Sequence, residues 1–170
     1  MSQVVLSIGS NVGDSHAHLQ GVLDRLGPRT LAVSRVYRTP PWGGVEQQDF
    51  LNAIVIAADT ELDCRGWLRL AQDCERAADR VRDVRWGPRT LDVDIIDCDG
   101  RSSADPELTL PHPRAKDRAF VLVPWLEIDP AARLLVGAEQ VPLTELLDGL
   151  DPAEIAGVRA TELTLAGRKL

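Results

Sequence analysis

Two helical stripes, and the short apolar runs that bracket them, leave this chain few architectures. Leu19, Val22, Leu23 and Leu26 follow the i, i+3, i+4, i+7 spacing of a helix with one buried face. Asp14 or Ser15 is placed to cap it, and Gly27-Pro28 stops it. Trp67, Leu70, Ala71, Cys74 and Ala78 form a second stripe over roughly 64–78. Strand-like runs at 4–8, 31–37, 50–58 and 91–96 surround the two helices. Between the second and third runs, Thr39-Pro40-Pro41-Trp42-Gly43-Gly44 fits neither regular element. The order is strand, helix, strand, strand, helix, strand. That is an α/β (α+β) chain with a ferredoxin-like βαββαβ core. Beyond Gly100 come additional C-terminal elements: a short strand at 108–110 and a helix over 117–126, whose end is blurred by Pro124. The pattern assigns no role to residues 158–170.

At 170 residues the chain is expected to be a single domain, 1–170. Its apolar runs are short and interrupted, so none predicts a membrane span. The opening MSQVVLSIGSN lacks the basic and apolar regions of a signal peptide. Three cysteines, Cys64, Cys74 and Cys98, lack CxxC spacing, which argues against a disulfide framework or a zinc site. They read as reduced core cysteines of a cytoplasmic protein. A net charge of −7 disfavours a nucleic-acid partner. Positive charge is nevertheless concentrated at one place. Residues 76–89 hold five arginines against two aspartates, which suits a small anionic ligand.

That basic segment runs straight into Arg85-Trp86-Gly87-Pro88-Arg89-Thr90-Leu91-Asp92-Val93-Asp94-Ile95. Strand side chains alternate faces, so Asp92 and Asp94 share one face and Leu91, Val93 and Ile95 the other. Two adjacent carboxylates repel unless something positive lies between them. Oxygen donors suit Mg²⁺, which keeps waters and takes substrate phosphates to complete its shell. Guanidinium forks nearby match those phosphate oxygens. The competing reading is a solvated acidic edge extended by Asp97 and Asp99. Glycoside hydrolysis fits poorly, because residues i and i+2 of one strand cannot flank a sugar from opposite sides.

The same segment resembles the signature of the 6-hydroxymethyl-7,8-dihydropterin pyrophosphokinases of folate biosynthesis. Four further segments agree in order: Gly9-Ser10-Asn11, Tyr37-Arg38-Thr39-Pro40-Pro41, Phe50-Leu51-Asn52-Ala53, and Leu110-Pro111-His112-Pro113 with Arg118-Ala119-Phe120. The resemblance implies transfer of a pyrophosphoryl group from ATP to the pterin hydroxymethyl oxygen, with release of AMP. It implies two Mg²⁺ ions at Asp92 and Asp94, and a monomer acting on small molecules alone. Arg80, Arg82 and Arg89 match arginines of the nucleotide-covering loop and of the phosphate contact. Gln72, Glu75, His112 and Arg118 match the ATP side. The pterin side is matched by Thr39, Pro41, Trp42, Phe50, Asn52, Trp86, Asp92 and Phe120, with the two phenylalanines as stacking rings and the Asn52 amide as edge reader.

This sequence departs from the family pattern at several positions. The loop Arg82-Asp83-Val84-Arg85 is one residue shorter, with Asp83 near a position held by lysine in some members. Pro113 stands where a tyrosine often follows the histidine, and Phe50 replaces a tyrosine. A ferredoxin-like module that binds nucleotide or pterin without turnover is the reading from another class, and the short loop is the feature in its favour. Gly9-Ser10-Asn11-Val12-Gly13 lacks the endings of a phosphate loop and reads as a strand-to-helix turn bordering the cleft. His16 and His18 face different ways on their helix. Arg69 and Arg76 read as solvated.

Overall fold

The computed structural model describes residues 1–40, 48–79 and 90–167. Strand β1 (Ser2–Ser10) leads through helix α1 (Ser15–Leu26) to β2 (Thr30–Val33) and β3 (Tyr37–Thr39). Then come β4 (Phe50–Asp59), α2 (Cys64–Asp79) and β5 (Asp92–Cys98). The remainder holds a hairpin of β6 (Ser103–Asp105) and β7 (Leu108–Leu110), helix α3 (Ala119–Ile128), and a hairpin of β8 (Arg133–Val136) and β9 (Glu139–Pro142). Helices α4 (Leu143–Asp148) and α5 (Pro152–Gly157) and strand β10 (Arg159–Ala160) follow. The main sheet runs β10-β3-β4-β1-β5, with β2 also on β4, and every pairing is antiparallel.

The sheet is ferredoxin-like, as its segment order predicts. The run at 31–37 is split in two, because Ser34 takes over the ladder at that point. Its N–H donates to Ile54 O at 2.9 Å, and its hydroxyl accepts the Ile54 N–H at 2.9 Å. A side-chain oxygen thus replaces a backbone carbonyl, and the strand breaks there. Of the two candidate caps for α1, Asp14 is used: its carboxylate accepts the Ala17 N–H at 3.1 Å. Helix α3 starts two residues later than the sequence predicts. Ala115–Asp117 form a separate 3-10 turn, and Arg118 is extended.

Both faces of the sheet are covered, by different partners. Val4, Leu6, Ile8, Leu51, Ala53, Val55, Val93 and Ile95 face α1 and α2, where Leu19, Leu23 and Trp67 are fully buried. The other face carries Val5, Ile54, Ile56 and Ile96 against Val121, Leu122 and Trp125 of α3. Tyr37 fastens α3 to the sheet by donating its hydroxyl to Glu127, which also accepts from the Arg35 backbone and guanidinium. Burial, and then that carboxylate, push the Tyr37 phenol up to about 12, so it remains a donor.

The cysteine reading is corrected. Cys64 and Cys98 form a disulfide with their Cα atoms 5.9 Å apart. They are 34 residues apart in sequence, and the fold joins them by setting the start of α2 against the end of β5. Local spacing carries no sign of such a pair. The bond also removes the cysteines from the argument for a cytoplasmic location. Cys74 is the free thiol, buried, and burial pushes it up to about 11.

Residues 159–166 are fastened to the core. Strand β10 pairs with β3, the Thr161 N–H donates to Val36 O at 3.0 Å, and Leu165 is buried among the α1 residues. The Gln20 amide bonds Ala166 in both directions. Among the described residues, no helix is long and apolar enough to cross a membrane.

Candidate active site

The sheet face opposite α1 and α2 changes character along its length. On β5, Asp92, Asp94 and Ile96 point the same way; on β1, Gly9, Ser7 and Val5; on β4, Asn52, Ile54 and Ile56. Register aligns them in rows. Asn52, Gly9 and Asp92 form the outermost row, and Ile54, Ser7 and Asp94 the next. Helix α3 covers the apolar end. The polar end lies open as the floor of a cleft of about 1060 Å³, larger than the roughly 300–1,000 Å³ usual for a single drug-sized ligand.

Seven predicted site residues line this one cleft: Thr39, Phe50, Asn52, Asp92, Asp94, Arg118 and Phe120. Asn52 is 5% exposed and donates its Nδ2 to Thr39 Oγ1 at 2.9 Å, leaving Oδ1 and one N–H for a ligand. A Cβ on Gly9 would stand 2.9 Å from Asn52 Oδ1, so only glycine keeps the floor flat between Asn52 and Asp92. Phe50 rises from β4 and Phe120 from the first turn of α3. The Arg118 guanidinium lies over the Phe120 ring, 5.4 Å from its centre, which fixes both side chains.

Two predicted residues stand just behind this lining. His112 follows β7, its backbone N–H bonded to Ile96 O at 2.8 Å. Burial pulls its pKa below the usual histidine value, and Arg118 and Arg114 act in the same direction against Asp94. Its Nδ1 accepts the Arg114 N–H at 3.2 Å, so the neutral ring presents Nε2–H as a donor. Glu75 reaches from α2 to the edge strand β5, where its carboxylate accepts the Val93 N–H at 3.4 Å. It thereby holds the residue between the two aspartates. Gln72 is exposed on α2 and does not line the cleft. Pro41, Trp42, Arg80, Arg82, Trp86 and Arg89 lie outside the described residues.

The cleft also has walls that the sequence reading omits. Ser7, Pro40, Arg114 and Asp117 belong to it, as do Asp151, Ala153, Glu154, Gly157 and Val158 from α5 and its end. The start of α5 carries a readable signal, Asp151 capping with Pro152 behind it. Its six residues are too few to show a stripe. Among the described residues five carboxylates line the cleft against two guanidiniums, so this described part of the lining is net acidic. No described group of three or more His, Cys, Asp or Glu side chains could hold a metal by itself. Two strand carboxylates fit an ion that draws its remaining ligands from water and phosphate.

Residues 5–130 match the family model for 7,8-dihydro-6-hydroxymethylpterin-pyrophosphokinase (HPPK). The chain belongs to this pyrophosphokinase family. The 2-amino-4-hydroxy-6-hydroxymethyldihydropteridine pyrophosphokinase of Mycobacterium leprae is 53% identical, covering 97% of this chain and 92% of the relative. That of Mycobacterium tuberculosis H37Rv is 51% identical, over 94% and 89%. That of Methylorubrum extorquens is 46% identical, over 93% and 99%. Plasmodium falciparum HPPK-DHPS, wild type with pteroate, aligns in structure with a TM-score of 0.65 at 11% identity. The alignment covers 86% of this chain and 44% of that one, so this pyrophosphokinase spans less than half of the Plasmodium chain, and the likeness bears on the fold alone. The protein is a transferase of folate biosynthesis, which sets aside the reading of a module without turnover.

Proposed function

We propose that the chain transfers the pyrophosphoryl group of ATP to the hydroxymethyl oxygen of 6-hydroxymethyl-7,8-dihydropterin, giving the pterin diphosphate and AMP. The observation that carries the reading is the outer row of the sheet face. An amide held by Thr39, a bare glycine and a carboxylate lie side by side in a cleft that two aromatic rings also line. A flat heterocycle with donors and acceptors along its edge fits that row. Phe50 and Phe120 stack on it, and Asn52 reads its edge. Asp92, at the far end of the row, meets the group that the ring carries.

Asp92 and Asp94 hold two Mg²⁺ ions in this reading. When bound, Mg²⁺ neutralises charge on the phosphate oxygens and holds acceptor and donor in line. Glu75 keeps the aspartate strand in place through Val93. Arg118, and His112 as a neutral donor, meet phosphate oxygens on the ATP side. Arg80, Arg82 and Arg89 add guanidiniums there, Gln72 lies toward the nucleotide, and Pro41, Trp42 and Trp86 complete the pterin slot. The protein works as a cytoplasmic monomer on small molecules, without nucleic-acid or membrane partners.

The test is chromatography of the nucleotides after mixing protein, ATP, Mg²⁺ and the pterin. AMP appearing one-for-one with pterin diphosphate is expected. ADP would overturn pyrophosphoryl transfer in favour of γ-phosphoryl transfer.

A further inference from the structure

Ser7 sits in the middle of the catalytic face. It is only 6% exposed, yet it lines the cleft. Register puts it directly opposite Asp94 on one side and Ile54 on the other. Directly opposed residues of antiparallel strands stand on one face with Cβ atoms roughly 4.5–5.5 Å apart. Among the described residues the Ser7 hydroxyl has no hydrogen-bond partner. Nor does the Asp94 carboxylate have a hydrogen bond or ion pair there.

That is an unfavourable place for an idle hydroxyl. Its neighbours on the same face, Val5 and Ile54, are buried and apolar, and a polar group set among such residues costs free energy unless it is satisfied. Other buried serines use theirs: Ser2 donates to Leu62 O at 2.5 Å, and Ser34 Oγ accepts the Ile54 N–H. Ser10 Oγ also lacks a partner, but it is sealed inside the protein, whereas Ser7 opens to the cleft. The partner of Ser7 therefore comes from what the cleft contains.

We propose that Ser7 is a positioning residue whose hydroxyl bonds a water in the shell of the divalent cation carried by Asp94. The inference rests on the cation reading of the preceding section. Groups that orient a metal's ligands and waters from behind typically contribute about 10–100-fold to metal affinity. A structural hydroxyl and a cation-shell hydroxyl have opposite signatures on removal. The first leaves the empty protein less stable. The second leaves it equally stable or more so, because an unpartnered polar group has gone, and lowers only the affinity for the cation.

The experiment is titration of the nucleotide-free protein with Mn²⁺, followed by water-proton relaxation, together with a thermal melt of the metal-free protein. Ser7→Ala is expected to weaken Mn²⁺ binding about 10–100-fold with an unchanged or higher melting temperature, and Ser7→Thr, which keeps the hydroxyl, to restore binding. Equal Mn²⁺ affinity in wild type and Ser7→Ala would overturn the role of Ser7 and leave the aspartate site standing. A lower melting temperature with unchanged affinity would make the hydroxyl structural. A wild-type protein that takes up no Mn²⁺, either alone or with a non-hydrolysable ATP analogue present, would overturn the cation site itself, and the role of Ser7 with it.

Discussion

Gly9 shows how much one missing methyl group decides. It lies between Asn52 and Asp92, and a Cβ there would meet Asn52 Oδ1 at 2.9 Å. Gly9→Ala is therefore expected to turn the Asn52 amide away from its ligand position while leaving the sheet paired. The KM for the pterin should rise about tenfold, the equivalent of one lost hydrogen bond of about 1.4 kcal/mol, with little change in the KM for ATP. Steady-state kinetics with each substrate varied in turn check this, and equal changes in both would place the fault elsewhere. At this scale the sequence was informative about chemistry and silent about support. That Asp92, Asp94, Phe50 and Asn52 line one cleft was legible from alternation along single strands and from the family signature. Ser7, one strand away from Asp94, was not, because cross-strand register is a property of the folded sheet. His112 was legible as a candidate, but the downward pull of burial on its pKa and the Arg114 N–H at its Nδ1 are recorded by no local pattern.

Among the elements, β5 is the most constrained. It is an edge strand that carries both aspartates, and it is held by β1 along one side, by Glu75 at Val93, and by the disulfide at Cys98. The bond closes a loop between residues 34 apart, which in the chain-entropy account contributes about 3–4 kcal/mol. Reducing it, or replacing Cys64 with Ala, is expected to lower the denaturant midpoint by that order of stability. Non-reducing mass spectrometry should show two cysteines protected and Cys74 free. Three alkylatable thiols in the native, non-reduced protein would contradict the bond. The helical stripes of α1 and α2 were legible to within a residue or two, since their buried positions repeat along the chain. The split between β2 and β3 was not, because Ser34 acts through Ile54, 20 residues away. Nor was the role of α5, whose contribution to the cleft depends on β10 binding to β3 and on Gly157, where a Cβ would stand 3.8 Å from Pro40 Cδ.

Seen whole, the molecule is a sheet with one face given to stability and the other divided. Helices α1 and α2 seal the first face. Helix α3 seals half of the second, and the half left open is the polar part. This division explains why βαββαβ order was legible in the first hundred residues while, of the last seventy, only β7 and, within two residues, α3 were. The core order is written in local apolar periods, whereas the later hairpins and short helices take their places by packing on a sheet that already exists. It also reconciles a net charge of −7 with a phosphate-handling site. The described lining of the cleft is acidic, and in the proposed reading a cation joins it to ATP, which puts Asp94 at the centre of the account. The most direct measurement is turnover of Asp94→Ala with AMP as the readout, beside a circular-dichroism melt of the same protein. The account predicts an unchanged melt and a rate lower by on the order of a thousandfold, the several kcal/mol expected from loss of metal-borne charge stabilisation. A variant that melts like wild type and still produces AMP at a near-normal rate would contradict it.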